Sequence, residues 1–166
     1  MMLLSLEATW ALAAALALML LAELTDFVDG IVARRYNQES RMGELIDPIC
    51  DSIYHLSVFL AFLGNGWMPA WMLFAIYARD LTVPYIRTFA RQTGHDLPIR
   101  ASGKVKTAIH AIVQVTVVAS ALGLLGPAVP VSSEAIHLLL LVATAASLYS
   151  LLDYAIAAAR LIQAAD

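Results

Sequence analysis

Between Thr25 and Asp51 the chain reads TDFVDGIVARRYNQESRMGELIDPICD, with long apolar runs on either side. Asp26 and Asp29 are three residues apart and Asp47 and Asp51 four apart, so on helices each pair projects from one face. The polar residues between Arg34 and Gly43 read as a hairpin that brings the two pairs together near a membrane interface. Four carboxylates converging in this way repel one another unless cations neutralise them. Oxygen-only ligation suits Mg²⁺ or Mn²⁺, and two such ions about 4 Å apart stabilise both ends of a phosphoryl displacement. Gly30 and Ala33 leave the helix face without bulk for a flat or charged ligand, and Arg34 would meet a phosphate.

Composition identifies the solvent. Of 166 residues, 61% are hydrophobic and only 14% charged, and the mean hydropathy is +0.77. A soluble domain carries about a quarter charged residues. A chain this short cannot hide so much apolar surface in one core, so a membrane is expected. Five apolar stretches, at 8–34, 44–63, 68–92, 103–125 and 134–162, approach the roughly 20 residues that a helix needs to cross a bilayer. No period-2 alternation is present, so all five are read as helices in a single domain over 1–166. Gly64-Asn65-Gly66 predicts a turn, the 94–98 segment a polar loop, and Gly126-Pro127 with Pro130 the end of the fourth helix. Ser132 or Ser133 with Glu134 predicts the cap of the fifth.

Charge placement predicts orientation. The ten basic residues avoid the first 33 positions and the 64–67 and 126–133 turns, and all but Arg79 map to one side. The positive-inside rule makes that side cytoplasmic, with the C-terminus inside and the N-terminus outside. No basic region precedes the first apolar run, so no cleaved signal is expected. The net charge of −3 argues neither for nucleic acid nor for a polybasic anchor, and the single Cys50 excludes an internal disulfide. Trp10, Trp67 and Trp71 fit an outer interfacial belt, while His110, Gln114 and His137 are expected to make interhelical hydrogen bonds. His55, one turn beyond Asp51, is placed to reach a carboxylate or simply to pack.

Any one of the four aspartates alone reads equally well as an ordinary interfacial acid. Ionisable residues inside a bilayer are costly and usually functional, and four at paired helical spacing with an arginine interleaved favour a site. A non-catalytic scaffold or divalent-cation transporter would use the same acids, but the outer helix halves offer no polar path across.

The spacing Asp-x2-Asp-Gly-x2-Ala-Arg-x8-Gly-x3-Asp-x3-Asp is met without departure by Asp26, Asp29, Gly30, Ala33, Arg34, Gly43, Asp47 and Asp51. It resembles the signature of the CDP-alcohol phosphotransferase family. That resemblance implies an all-α, polytopic membrane helix bundle, two divalent metal ions, and transfer of a phosphoalcohol group from a CDP-alcohol to an acceptor hydroxyl with release of CMP. By position, Asp26, Asp29 and Asp47 match metal and CDP ligands. Gly30, Ala33, Arg34 and Gly43 match nucleotide and diphosphate contacts, and Asp51 matches the general base on the metal-facing helix. The family also implies a homodimer and six helices where five are seen, the helix before the aspartate-bearing one having no counterpart here.

A phosphorylated acceptor needs cations near Asp51, and Arg79, Arg87, Lys104 and Lys106 are the candidates. Basic loop residues that merely set topology are the plain alternative. A mid-helix arginine such as Arg79 needs a partner in lipid. Arg79-Asp80, Arg87 and Gly103-Lys104-Val105-Lys106-Thr107 resemble the phosphatidylglycerophosphate synthase branch, which implies CDP-diacylglycerol as donor and glycerol 3-phosphate as acceptor. Inositol phosphate or another polar alcohol is the alternative acceptor. A bacterial inner membrane, with the site facing the cytoplasm, is the implied location.

Overall fold

The computed structural model describes residues 9–25, 41–92, 94, 97–127 and 129–163, with backbone alone for 41–48 and 162–163. These residues form α1 (Thr9–Thr25), α2 (Arg41–Gly64), α3 (Ala70–Gln92), α4 (Ala101–Ala121) and α5 (Glu134–Gln163), and no strand occurs among them. The apolar runs thus fold as the expected all-helical membrane bundle.

Helices end where glycine lets the backbone turn left-handed. At the end of α2, Gly66 has φ 71°. Its N–H donates to Leu63 O at 3.0 Å, and the Trp67 N–H donates to Phe62 O at 2.9 Å. This pair of bonds is the Schellman arrangement, and its usual apolar contact is present as the Phe62 and Trp67 rings, 5.7 Å apart. The same device ends α4 earlier than the Gly126-Pro127 pair predicts. Gly123, at φ 73°, donates to Ser120 O at 2.9 Å while Leu124 N–H reaches Ala119 O at 3.0 Å, so the helix stops at Ala121. Ser133 caps α5 as expected, its Oγ accepting from Ile136 N–H at 3.4 Å.

The polar and apolar residues are distributed as lipid demands. Large apolar side chains such as Leu60, Phe74, Tyr85, Ile112, Leu138 and Leu152 point outward. His55, Lys106, His110, Gln114, Ser147 and Ser150 are buried. With hydrocarbon as solvent, that is the favourable sorting, because polar groups find partners only inside the bundle. Helix α5 alone, among the described residues, is long and apolar enough to cross a membrane by composition, over Glu134–Leu161. Helices α3 and α4 fall short because they carry the charged residues of the interior.

Three layers stack along the bundle. Toward the end holding the α2–α3 turn, Phe59, Phe62, Met72, Ile76, Val117, Ile136 and Leu140 form an apolar core, with Met19 of α1 against it. At the other end Val83, Ala90, Leu97, Tyr154 and Ala157 form a smaller one. His55, Arg79, Asp80, Lys106, His110, Gln114, Ser147 and Ser150, all buried, lie between the two. Helix α5 packs on both α3 and α4, and α2 contacts the same two helices. Side chains from four helices therefore meet in the polar layer.

Candidate functional site

Asp51 and His55 are one turn apart on α2, and His55 Nε2 lies 3.2 Å from Asp51 Oδ1. The histidine is fixed from the other side by Gln114 of α4. Gln114 Nε2 donates to His55 O at 2.8 Å, so the amide must turn its oxygen toward the ring. That oxygen lies 2.8 Å from His55 Nδ1, which therefore carries a hydrogen and donates it. The Asp51 side chain is one-third exposed, at 33%, whereas that of His55 is 1% exposed. One carboxylate oxygen is thus held against a buried ring, and Oδ2 has no partner among the described residues.

Spacing by four on α4 puts Lys106, His110 and Gln114 on one buried stripe. His110 Nε2 donates toward Ala143 O at 3.3 Å and Ser147 Oγ at 2.9 Å on α5. These are the interhelical bonds expected of His110 and Gln114. His137 departs from expectation: it lies in the first turn of α5, exposed, and makes no such bond among the described residues.

Beside that stripe, three charges are buried together. Asp80 Oδ1 accepts from Arg79 Nη1 at 2.8 Å and from Lys106 Nζ at 3.1 Å, with Oδ2 3.4 Å from the same ammonium. Residue exposures are 9% for Arg79, 6% for Asp80 and 2% for Lys106. Two cations share one carboxylate, a surplus of one positive charge inside the protein. Arg79 Nε and Nη2 also donate to Ser150 Oγ of α5, at 3.3 and 2.9 Å.

A second ion pair ties the start of α4 to α5. Arg100 Nε and Nη2 meet Asp153 Oδ2 and Oδ1 at 2.6 and 2.7 Å, and Ser102 Oγ donates to Asp153 Oδ2 at 2.6 Å. The carboxylate beside it raises the Arg100 pKa further above the ordinary arginine value, so it stays charged. The Arg100 backbone N–H donates to Tyr154 Oη at 2.9 Å. The Tyr154 ring is buried, with Arg79 Cζ 6.0 Å from its centroid. Gly103 lies between them: a Cβ there would come 3.2 Å from Tyr154 Oη and 3.4 Å from Arg79 Nη2.

Of the four candidate acceptor cations, the structure unites Arg79 and Lys106 and leaves the other two apart. Lys104 is exposed, because two residues along a helix from Lys106 is the opposite side. Arg87 Nε donates to Leu97 O at 3.3 Å, holding the α3–α4 connection. Asp26, Asp29, Gly30, Ala33 and Arg34 lie outside the described residues, and Gly43 and Asp47 fall in the backbone-only turns of α2. Among the described residues no group of three or more His, Cys, Asp or Glu is placed to hold a metal ion. Ser150 and Asp153 carry no motif that marks them in the sequence. Their signal is polar residues recurring at helical spacing through an apolar span. A cavity of about 910 Å³ opens along α4 and α5, with Lys106 and Arg100 on its wall among Val105, Ile109, Ala145 and Ala146. Arg79, Asp80 and Asp51 are not part of that wall.

The described residues thus form a helical bundle whose interior holds an Asp51–His55 pair and a buried Arg79–Asp80–Lys106 cluster, the architecture of a polytopic membrane protein. The chain belongs to the CDP-alcohol phosphatidyltransferase family, whose model matches residues 1–148. Similar proteins include a CDP-diacylglycerol–glycerol-3-phosphate 3-phosphatidyltransferase of Treponema pallidum, 33% identical over 97 residues, 58% of this chain and 45% of the relative. The Bacillus subtilis protein of the same name is 31% identical over 90 residues, 54% of this chain and 47% of its own length. A cardiolipin synthase (CMP-forming) of Streptomyces coelicolor is 32% identical over 94 residues, 56% of this chain and 44% of that protein. The chain thus spans somewhat under half the length of the relatives it matches.

Proposed function

We propose that the protein transfers a phosphatidyl group from CDP-diacylglycerol to glycerol 3-phosphate and releases CMP. Arg79 and Lys106 carry this reading: two buried cations beside a single carboxylate are a ready counter-charge for the phosphate of an acceptor. Family membership and the names of the relatives from Treponema pallidum and Bacillus subtilis support the same substrate pair.

Asp51 is assigned as the general base. With its Nδ1 hydrogen given to Gln114, His55 holds Oδ1 as the imidazolium, donating from Nε2 as well. This fixes the carboxylate and leaves Oδ2 to take the proton of the acceptor hydroxyl. As that proton moves, the hydroxyl oxygen attacks the phosphorus bearing the diacylglycerol, and the bond from that phosphorus to CMP breaks. Asp26, Asp29, Asp47 and Asp51 would hold two Mg²⁺ or Mn²⁺ ions, hard cations for which carboxylate oxygens are the fitting donors. When bound, such ions neutralise the diphosphate and ease departure of CMP. Gly30, Ala33, Arg34 and Gly43 would line the nucleotide. The positive-inside rule applied to the basic residues supports a site facing the cytoplasm.

A second reading follows from the similarity to the Streptomyces coelicolor cardiolipin synthase (CMP-forming). The acceptor would then be a lipid whose headgroup ends in a glycerol hydroxyl. The test is CMP release from purified protein with Mg²⁺ and CDP-diacylglycerol, adding glycerol 3-phosphate, phosphatidylglycerol or inositol phosphate in turn. Release that requires glycerol 3-phosphate and disappears in Asp51→Asn establishes the proposal. Release only with phosphatidylglycerol or inositol phosphate keeps the transfer and replaces the acceptor. Silence with every acceptor, from folded protein, refutes it.

A further inference from the structure

The described donor contacts of Arg79 go to one residue of its own helix and one of α5. Its Nε and Nη2 share Ser150 Oγ, and Nη1 takes Asp80. A guanidinium has five N–H donors in a rigid plane, so three contacts fix that plane and leave two directions open. Asp80 is the neighbouring residue on the same helix and is itself shared with Lys106, so it moves with α3. Ser150 belongs to α5, is completely buried at 0% exposure, and is the contact that ties the guanidinium to another helix. Tyr154, one turn further on α5, lies beside the guanidinium, its ring centroid 6.0 Å from Arg79 Cζ, and both border Gly103. The family match ends at residue 148, so both of these α5 residues lie past it.

We infer that Ser150, backed by Tyr154, is a positioning residue: it orients Arg79 so that the two remaining N–H groups face the acceptor phosphate. The inference rests on the reading of Arg79 as an acceptor-phosphate group. A hydroxyl is the right chemistry for this task. It accepts a fork of two N–H groups, yet adds no charge, so the surplus positive charge of the Arg79–Asp80–Lys106 cluster stays available to the ligand. A carboxylate at position 150 would hold the arginine more tightly and cancel that surplus.

The test measures KM for glycerol 3-phosphate and for CDP-diacylglycerol, together with direct calorimetric binding of glycerol 3-phosphate, which needs no turnover. Full-length wild type, Ser150→Ala, Arg79→Lys and the double variant are compared. Losing a hydrogen bond to a charged group predicts acceptor affinity weakened by roughly 10-fold in Ser150→Ala, with the donor KM and kcat changed by no more than about 2-fold. In the Arg79→Lys background the same change adds little, because the group it positions is gone. Unchanged acceptor affinity in Ser150→Ala overturns the inference. So does a Ser150→Ala effect that persists in full beside Arg79→Lys, or one that falls equally on donor and acceptor. If wild type transfers to glycerol 3-phosphate but Arg79→Lys leaves acceptor affinity intact, this inference fails while the transfer reaction stands. If wild type neither binds nor uses glycerol 3-phosphate, both fail together.

Discussion

Replacing Asp80 by alanine removes the carboxylate shared by Arg79 and Lys106, whose side-chain oxygen lies 2.8 Å from one cation and 3.1 Å from the other. The wild-type cluster has two cations and one anion. Asp80→Ala leaves two buried cations with no carboxylate in contact, whereas Lys106→Met leaves a neutral Arg79–Asp80 pair. Deleting one partner of a buried ion pair costs about 3–5 kcal/mol, while exchanging a buried ion for an apolar side chain of similar volume is often neutral or stabilising. The Asp80 side chain is 1% exposed and that of Lys106 2%, so solvent screening does little to reduce the difference. For a chain of this size each kcal/mol moves the midpoint by roughly 2–4 °C, so Asp80→Ala should lower Tm by about 6–20 °C. Lys106→Met should stay within about 1 kcal/mol of wild type, or exceed it, while losing affinity for a phosphorylated acceptor. Thermal unfolding in detergent, followed by intrinsic fluorescence, measures both variants. Equal destabilisation by the two, or an Asp80→Ala effect below about 1 kcal/mol, would refute the view that these residues form one dry cluster with surplus positive charge.

Three further outcomes are expected. Gly103→Ala places a methyl 3.2 Å from a tyrosine oxygen that Arg100 N–H already holds, so Tyr154 must give by a few tenths of an ångström against Arg79 beside it. It should raise the acceptor KM several-fold at a stability cost of about 1–3 kcal/mol, read from steady-state kinetics and Tm. Gly123→Ala meets no atom within 4 Å but retains φ 73°, so it should cost about 1–2 kcal/mol of stability and leave both KM values unchanged. Chelation by EDTA should abolish CMP release and Mg²⁺ or Mn²⁺ restore it; undiminished release in EDTA would remove the two-ion reading of the aspartates.

The sequence marked every helix that the structure describes, because apolar length and glycine turns are local signals. It misplaced the end of α4 by favouring Gly126-Pro127 over Gly123, whose left-handed backbone closes the helix first. For the acceptor cations, grouping by charge merged residues that helical geometry separates. Lys104 and Lys106 cannot share a face, and a period of 3.6 already contains that information. The role of α5 was harder to see. Ser150 pairs with an arginine 71 positions away, and a serine in an apolar helix looks the same whether it packs or accepts a hydrogen bond. Such a contact is visible only once α3 and α5 are side by side.

The polar layer also divides the chemistry by helix. On the proposed reading, Asp26, Asp29 and the aspartates of α2 serve a donor that arrives with metal, while α3 and α4 supply cations for an acceptor that arrives as an anion. Placed on one helix, these opposite charges would neutralise each other within a turn or two. On separate helices, each remains partly uncompensated until its own substrate is bound. Asp51 sits at the seam, on α2 yet linked through His55 and Gln114 to the helix that carries Lys106. That link makes Gln114 a discriminating position. Gln114→Leu leaves every charge in place but removes both hydrogen bonds to His55, one to its ring and one to its backbone carbonyl. If the seam sets the Asp51 carboxylate for proton removal, kcat should fall by roughly 10-fold, the scale of one or two lost buried hydrogen bonds, with both KM values preserved. An unchanged kcat in folded Gln114→Leu would show that Asp51 needs no support from α4.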